Sequence, residues 1–260
     1  MSVARFRFYA ELNDFLPQDS QGRPAERRFD TVAPVKDLIE GFGVPHTEVD
    51  LVLIDGEPAP FSSLVRDGDY VSVYPVFRSL DVSSVTRLRP SPPAAPRFVL
   101  DVHLGRLAAY LRMLGFDAMY SNSASDRELA FLTRCEDAIL VTRDRYLLMR
   151  SEVVRGYWVR STNPKSQLLE LSDRFNLLSS MRPFTRCMSC NGSLEPVSRQ
   201  SLLESLPPKV LEKREFSRCS TCGKVYWQGT HHDRMTRMLD WLKKTGRISN
   251  RAVSQQAWLM

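Results

Sequence analysis

Two pairs of cysteines, Cys187-Met188-Ser189-Cys190 and Cys219-Ser220-Thr221-Cys222, constrain this chain more than any other feature. A CxxC pair on a tight turn aims two soft thiolates at one centre, and two such pairs complete the tetrahedral shell of a zinc ion. Asn191-Gly192 and Gly223 follow the pairs directly and favour turns whose amides face sulfur. Because four thiolates close the shell, the zinc held by Cys187, Cys190, Cys219 and Cys222 is read as structural, not catalytic. Between Cys190 and Cys219 lie 28 residues, against roughly 15–20 in the usual paired-knuckle spacing. An insertion is therefore expected, built from Ser201–Leu206 and Val210–Phe216. The fifth cysteine, Cys135, reads as a buried core residue of a helix. Such cysteine usage fits a reducing compartment better than a disulfide framework. With no secretory leader visible and no apolar run near the roughly 20 residues that span a bilayer, the chain is expected to be cytoplasmic and without a membrane partner.

The formal charge of +6 is unevenly placed. Residues 1–80 hold 8 Lys+Arg against 13 Asp+Glu, a net of −5, whereas residues 81–260 hold 28 against 17, a net of +11. The later excess suits either a polyanion-binding surface or an ordinary solvated one. At 260 residues the chain is long enough for two or three domains. Arg5–Tyr9 alternates as a strand, Arg27–Asp30 is a second, and Val35–Glu40 is helical. Further strands are expected at Asp50–Ile54, before the turn Asp55-Gly56, and at Tyr70–Pro75. These elements resemble a ubiquitin-like β-grasp domain over 1–80, and Leu64–Pro75 in particular resembles the MoaD/ThiS sulfur carriers. Those carriers work through a terminal diglycine. This segment ends Val76-Phe77-Arg78-Ser79-Leu80, so only the fold is carried over, with docking to a protein partner, intramolecular regulation or plain stabilisation as its possible uses. Pro90, Pro92, Pro93 and Pro96 with Ser83, Ser84 and Ser91 predict an extended spacer over 81–96.

From residue 97 the pattern becomes α/β. Phe98-Val99-Leu100 reads as a buried parallel strand with Asp101 at its carboxyl end, where sheets of this class bind ligands. Leu104, Leu107, Ala108 and Leu111 make one face of a helix ended by Gly115. Ala118–Tyr120, Ala138–Thr142 and Tyr157–Val159 supply further strands, Asp126 opens a helix, and Asp144 lies just past the third strand. Separated carboxylates of this kind suit hard magnesium or manganese ions. Each also has a plain structural use: Asp101 as a cap, Asp126 at a helix dipole, Asp144 beside Arg143 and Arg145, and Glu128 in a capping box with Ser125.

The ordered run from Asp101 to Asp117, then Ile139–Asp144, Arg186–Gly192 and Cys219–His231, resembles the PIN-like RNase domain at the C-terminus of the mutator-seven proteins. Prokaryotic members of that family also place a ubiquitin-like segment in front. The resemblance implies a PIN-like parallel-sheet domain over 97–182 and a zinc ribbon over 183–242, and the residues after Leu242 read as a tail over 243–260. It also implies a metal-dependent ribonuclease whose acids are Asp101, Asp126 and Asp144, using paired magnesium or manganese ions. Where many PIN nucleases carry another acid, this chain has Arg160-Ser161-Thr162-Asn163, which leaves Asn163 and Glu128 as auxiliary candidates and a degenerate, noncatalytic RNA-binding adaptor as the alternative. Arg106, Arg112, Arg143, Arg145 and His231 are the candidate RNA contacts, and Tyr226, Trp227, Arg234 and Arg237 mix stacking surfaces with cations near the second knuckle.

Overall fold

The structure, a computed structural model, describes residues 1–77, 84–86, 88, 95–204, 206–212 and 215–256, with backbone alone from 247 onward. Most of the spacer expected over 81–96 lies outside the described residues. In chain order the first elements are β1 (Ser2–Phe8), β2 (Ala25–Phe29), β3 (Ala33–Pro34), α1 (Val35–Glu40), β4 (Val49–Ile54), β5 (Glu57–Pro58), β6 (Leu64–Val65) and β7 (Tyr70–Pro75). The α/β region follows with β8 (Arg97–Leu100), α2 (Gly105–Met113), β9 (Asp117–Tyr120), α3 (Asp126–Cys135), β10 (Ile139–Thr142), α4 (Arg145–Leu148), β11 (Gly156–Trp158), α5 (Pro164–Phe175) and α6 (Leu177–Ser180). The cysteine region adds β12 (Leu194–Pro196), α7 (Pro208–Leu211), β13 (Phe216–Cys219), β14 (Val225–Trp227) and α8 (Thr230–Gln256). Two compact units form, Met1–Ala94 with Ser125–Trp158, and Ala95–Ala124 with Val159–Met260.

In the first unit, five strands assemble in the order β2-β1-β7-β4-β5, with β1 and β7 parallel and the other neighbours antiparallel. With α1 this is the expected β-grasp. Period-two alternation in β1 sends Ala4, Phe6 and Phe8 inward, where both phenyl rings meet Phe42 at 5.2 Å between centroids. Fully burying one such ring stabilises by about 1.5–3 kcal/mol. The β4–β5 hairpin turns on Asp55 and Gly56, at φ of 49° and 90°, and the Asp55 carboxylate accepts from the Tyr70 amide at 2.9 Å.

The same unit contains β10 and β11, paired in parallel, and every residue of β10 is buried. Trp158 joins the ubiquitin-like core, its ring 4.9 Å from that of Phe15. Its amide donates to Glu48 Oε1 at 2.5 Å, and His46 Nε2 meets the Val153 carbonyl at 2.9 Å. Cys135 is not a core residue: α3 turns Leu129, Ala130 and Thr133 inward, and the i, i+4 pair Phe131 and Cys135 is left exposed.

In the second unit β8 and β9 run parallel, with Arg97 opposite Asp117 and Leu100 opposite Tyr120. Helix α2 buries Leu107, Ala108 and Leu111 as its apolar spacing requires. It ends at Gly115, whose φ of 90° lets its amide reach Arg112 O while the Phe116 amide reaches Leu111 O at 3.0 Å. That pair of bonds is the Schellman termination, which an L side chain adopts only under strain. Phe98 packs edge-on against Phe116 and Phe175.

The cysteine region is a three-stranded antiparallel sheet, β12-β13-β14. Its insertion includes the short turn Arg199–Leu202 and α7, with Leu202, Leu211 and Phe216 as a small core. Helix α8 packs on α5 and buries Met238, Leu239 and Leu242. It does not end at 242, where a tail was expected. The helix continues through Gly246 to Gln256. Among the described residues no helix is long and apolar enough to cross a membrane.

Candidate active site and metal centre

Asp101 leaves β8 as expected, is buried, and caps the single turn Val102–Leu104 by accepting from the His103 amide at 3.4 Å. Asp144 follows β10, is exposed, and caps α4: its Oδ1 accepts from the amides of Tyr146 at 2.8 Å and Leu147 at 3.4 Å. Since both bonds fall on Oδ1, the orientation of the carboxylate is set without engaging Oδ2. Asp126 is the exposed first residue of α3. Each acid therefore sits at the strand end or helix start read from the sequence.

The auxiliary candidates act as caps. Glu128 and Ser125 form a reciprocal capping box, Ser125 N donating to Glu128 Oε2 at 2.7 Å and Glu128 N to Ser125 Oγ at 3.3 Å. The Ser125 amide, aided by its hydroxyl, holds the Glu128 carboxyl below its ordinary value. Asn163 Oδ1 accepts from the amides of Lys165 and Ser166 and so starts α5.

Of the candidate phosphate contacts, Arg106, Arg143 and His231 are exposed. Arg145 is half-buried, donating to the Phe15 carbonyl at 3.4 Å with its guanidinium 5.8 Å from the Trp158 ring centre. Arg112 does not fit a phosphate contact. It is 5% exposed, with Nε donating to Ala118 O at 2.9 Å and Nη1 to Met188 O at 3.2 Å and Ser189 O at 3.0 Å. Burial in this setting pulls its pKa down. Arg112 instead ties β9 to the first cysteine turn.

That turn has a second anchor. Asp117 accepts from Arg97 Nε and Arg186 Nη2, each at 3.3 Å, and from Asn191 Nδ2 at 2.7 Å, while Asn191 Oδ1 accepts from the Ala118 amide at 3.1 Å. Sequence reading assigned no role to Asp117, because its partners Arg186 and Asn191 lie far along the chain. Only the terminal position of Asp117 in its motif hinted at one.

The two knuckles repeat one geometry. The Asn191 amide returns to Cys187 O and the Gly223 amide to Cys219 O, and Asn191 and Gly223 both have φ of 71°. At Gly192 a Cβ would stand 2.4 Å from Thr221 Oγ1 and 2.9 Å from Cys219 Sγ, so glycine admits the second knuckle. One ligand atom from each of Cys187, Cys190, Cys219 and Cys222 lies within 4.8 Å of the others. Among the described residues this is the one group of three or more His, Cys, Asp or Glu side chains gathered so closely. Cys219 Sγ accepts from the amides of Thr221 and Cys222 at 3.4 and 3.5 Å. Burial pushes the Cys187 thiol up, but bonds from the Tyr226 hydroxyl at 3.1 Å and from the Cys190 and Ser189 amides outweigh it and bring the thiol to about 6. Four soft sulfurs this close together fit a metal such as zinc.

Residues 96–239 match the family model of the Mut7-C RNAse domain, and residues 1–81 match that of Mut7-C ubiquitin. The chain belongs to the Mut7-C family. The Mut7-C match takes in all three acids and all four cysteines, and gives the region a nuclease-like character. No curated protein and no solved structure matches the chain.

Proposed function

We propose that this Mut7-C chain is a metal-dependent ribonuclease that hydrolyses RNA phosphodiester bonds, with Asp101, Asp126 and Asp144 as its catalytic and metal-binding acids. The observation that carries this reading is the RNAse-domain match over residues 96–239, within which Asp101 and Asp144 follow parallel strands. Their hard carboxylate oxygens suit magnesium or manganese, which when bound lower the pKa of water and neutralise charge on phosphate. The chain's own contribution is orientation: amides of α4 hold the Asp144 carboxylate in one pose, and the exposed Arg106 and Arg143 are available to phosphate oxygens. Zinc at the cysteines stays structural, and a thiolate metal site in place of a disulfide framework fits a reducing compartment such as the cytoplasm.

The test is cleavage of a mixed, end-labelled small-RNA pool in magnesium, manganese or chelator. Asp101→Asn and Asp144→Asn should each lower metal-dependent cutting by at least about a hundredfold with the fold retained; full activity in both would sink the assignment. One observation favours a second reading, a noncatalytic RNA-binding adaptor: Asp101, Asp144 and Asn163 all cap helices. Undiminished RNA binding with no cleavage in any divalent metal would select it.

A further inference from the structure

We infer that the face between β14, α2 and the first turns of α8 is a stacking groove for the bases of single-stranded RNA, distinct from the acids. The choice of RNA rests on the ribonuclease reading; the groove itself rests on its shape and chemistry. A cavity of about 670 Å³ is lined by Phe184, Lys224, Tyr226, Trp227, His231 and His232 among others. That volume lies in the range of sites that enclose small ligands. A second cavity of about 480 Å³ is lined by Tyr110, Lys165, Arg234, Arg237 and Trp241. Both share Met113, His231 and Met235, so they are successive stations along one face.

The two stations alternate ring surfaces with cations. Trp227 is 39% exposed, an unusual position for a large indole. Phe184 and His232 already pair, with centroids 4.6 Å apart at 37°. Trp241 lies beneath Lys165 Nζ, 5.6 Å from its ring centre. Arg234 and Arg237 are exposed on α8. The first cavity carries Arg186 and Lys224 against one acid, Glu215, which accepts from Gln228 Nε2 at 2.6 Å, so cations outnumber the acid there. Tyr226 is a wall of the metal module, its hydroxyl held at Cys187, and is not the residue on which stacking turns. Trp227 has no such tie to sulfur.

A single strand meets both demands of this face. Every base offers an apolar π-face to a ring, and each phosphate offers a charge to a nearby cation. A duplex hides its base faces and gains only the charge.

The experiment measures anisotropy of a fluorescein-labelled single-stranded RNA 12-mer and its duplex, with full-length, zinc-loaded protein carrying Asp144→Asn. In that background Trp227→Ala should weaken single-strand binding by about tenfold or more, whereas Trp227→Phe keeps a stacking surface and should stay within about threefold. Arg234→Gln with Arg237→Gln should weaken binding and lower the log-log salt slope by up to about 1.4, near 0.7 per phosphate. If Trp227→Ala loses zinc, the arginine pair decides alone, since both are exposed on a helix. Parental affinity in the variants with zinc retained, or equal affinity for duplex and single strand, overturns the groove. Wild type that cuts nothing while these variants still lose RNA leaves the groove standing and removes the nuclease. Active wild type with unaffected variants does the reverse.

Discussion

Replacing Arg112 by methionine separates a structural role for this buried cation from contact with phosphate. The guanidinium makes three bonds, to Ala118 O, Met188 O and Ser189 O, all from a side chain that is almost fully enclosed. Bonds from a charged donor contribute about 1.5 kcal/mol each at the low end, or about 4.5 kcal/mol in all. Methionine keeps most of the stem's volume, and the desolvation of the charge is already contained in those net values. Arg112→Met should therefore destabilise the protein by about 4 kcal/mol. It also frees the carbonyls of Met188 and Ser189, the two residues inside the first CxxC, so zinc should leave faster. Urea unfolding followed by tryptophan fluorescence reads the first effect, and zinc transfer to a colorimetric chelator reads the second. A variant within about 1 kcal/mol of wild type that keeps its zinc would refute the reasoning. If it also lost RNA affinity, the guanidinium would belong to the phosphate contacts after all.

Two further outcomes follow from local geometry. Gly115→Ala places a Cβ 2.0 Å from Arg182 O at a φ of 90°, so the backbone must shift and strain the bonds Arg182 N to Leu114 O and Phe184 N to Met113 O. Positive φ costs about 1–2 kcal/mol and each bond about 1, a loss of roughly 3–4 kcal/mol that urea unfolding would show and a wild-type midpoint would exclude. Glu128 has a folded pKa held below its ordinary 4.5, so the stability it lends α3 is fully present above that value and fades as pH falls through the lower folded one. Thermal melts of wild type and Glu128→Gln should thus differ at neutral pH and converge in acid, below the folded value; a gap independent of pH would reject the capping-box account.

Much of this protein was legible from residues alone because the signals are short-ranged. Alternation in Arg5–Tyr9, apolar spacing from Leu104 to Leu111, a left-handed stop at Gly115 and a capping box at Ser125 each act within one or two turns of chain, and each appears where expected. The cysteine pairs also announced their own convergence, since CxxC closes on itself and a tetrahedral metal needs two. The reading failed where the deciding contact is distant or the local cue is weak. Arg112 looked like one more helical cation, but its partners in the knuckle are 76 and 77 residues away. Cys135 was judged by residue type, whereas the facing of α3 exposed it.

Pattern by itself determined the strands and helix of the first segment, whose β-grasp arrangement came by resemblance, together with α/β strands ending in acids and two CxxC pairs. Tertiary structure alone decided that Ser125–Trp158 packs with the N-terminal segment, through Trp158 on Phe15 and Glu48, and that Asp117, Asn191 and Arg112 hold the first knuckle against β9. Turns, caps and periodicity obey forces that decay within a few residues. A buried guanidinium or an indole takes whichever partner packing brings to it, and no local pattern records that choice.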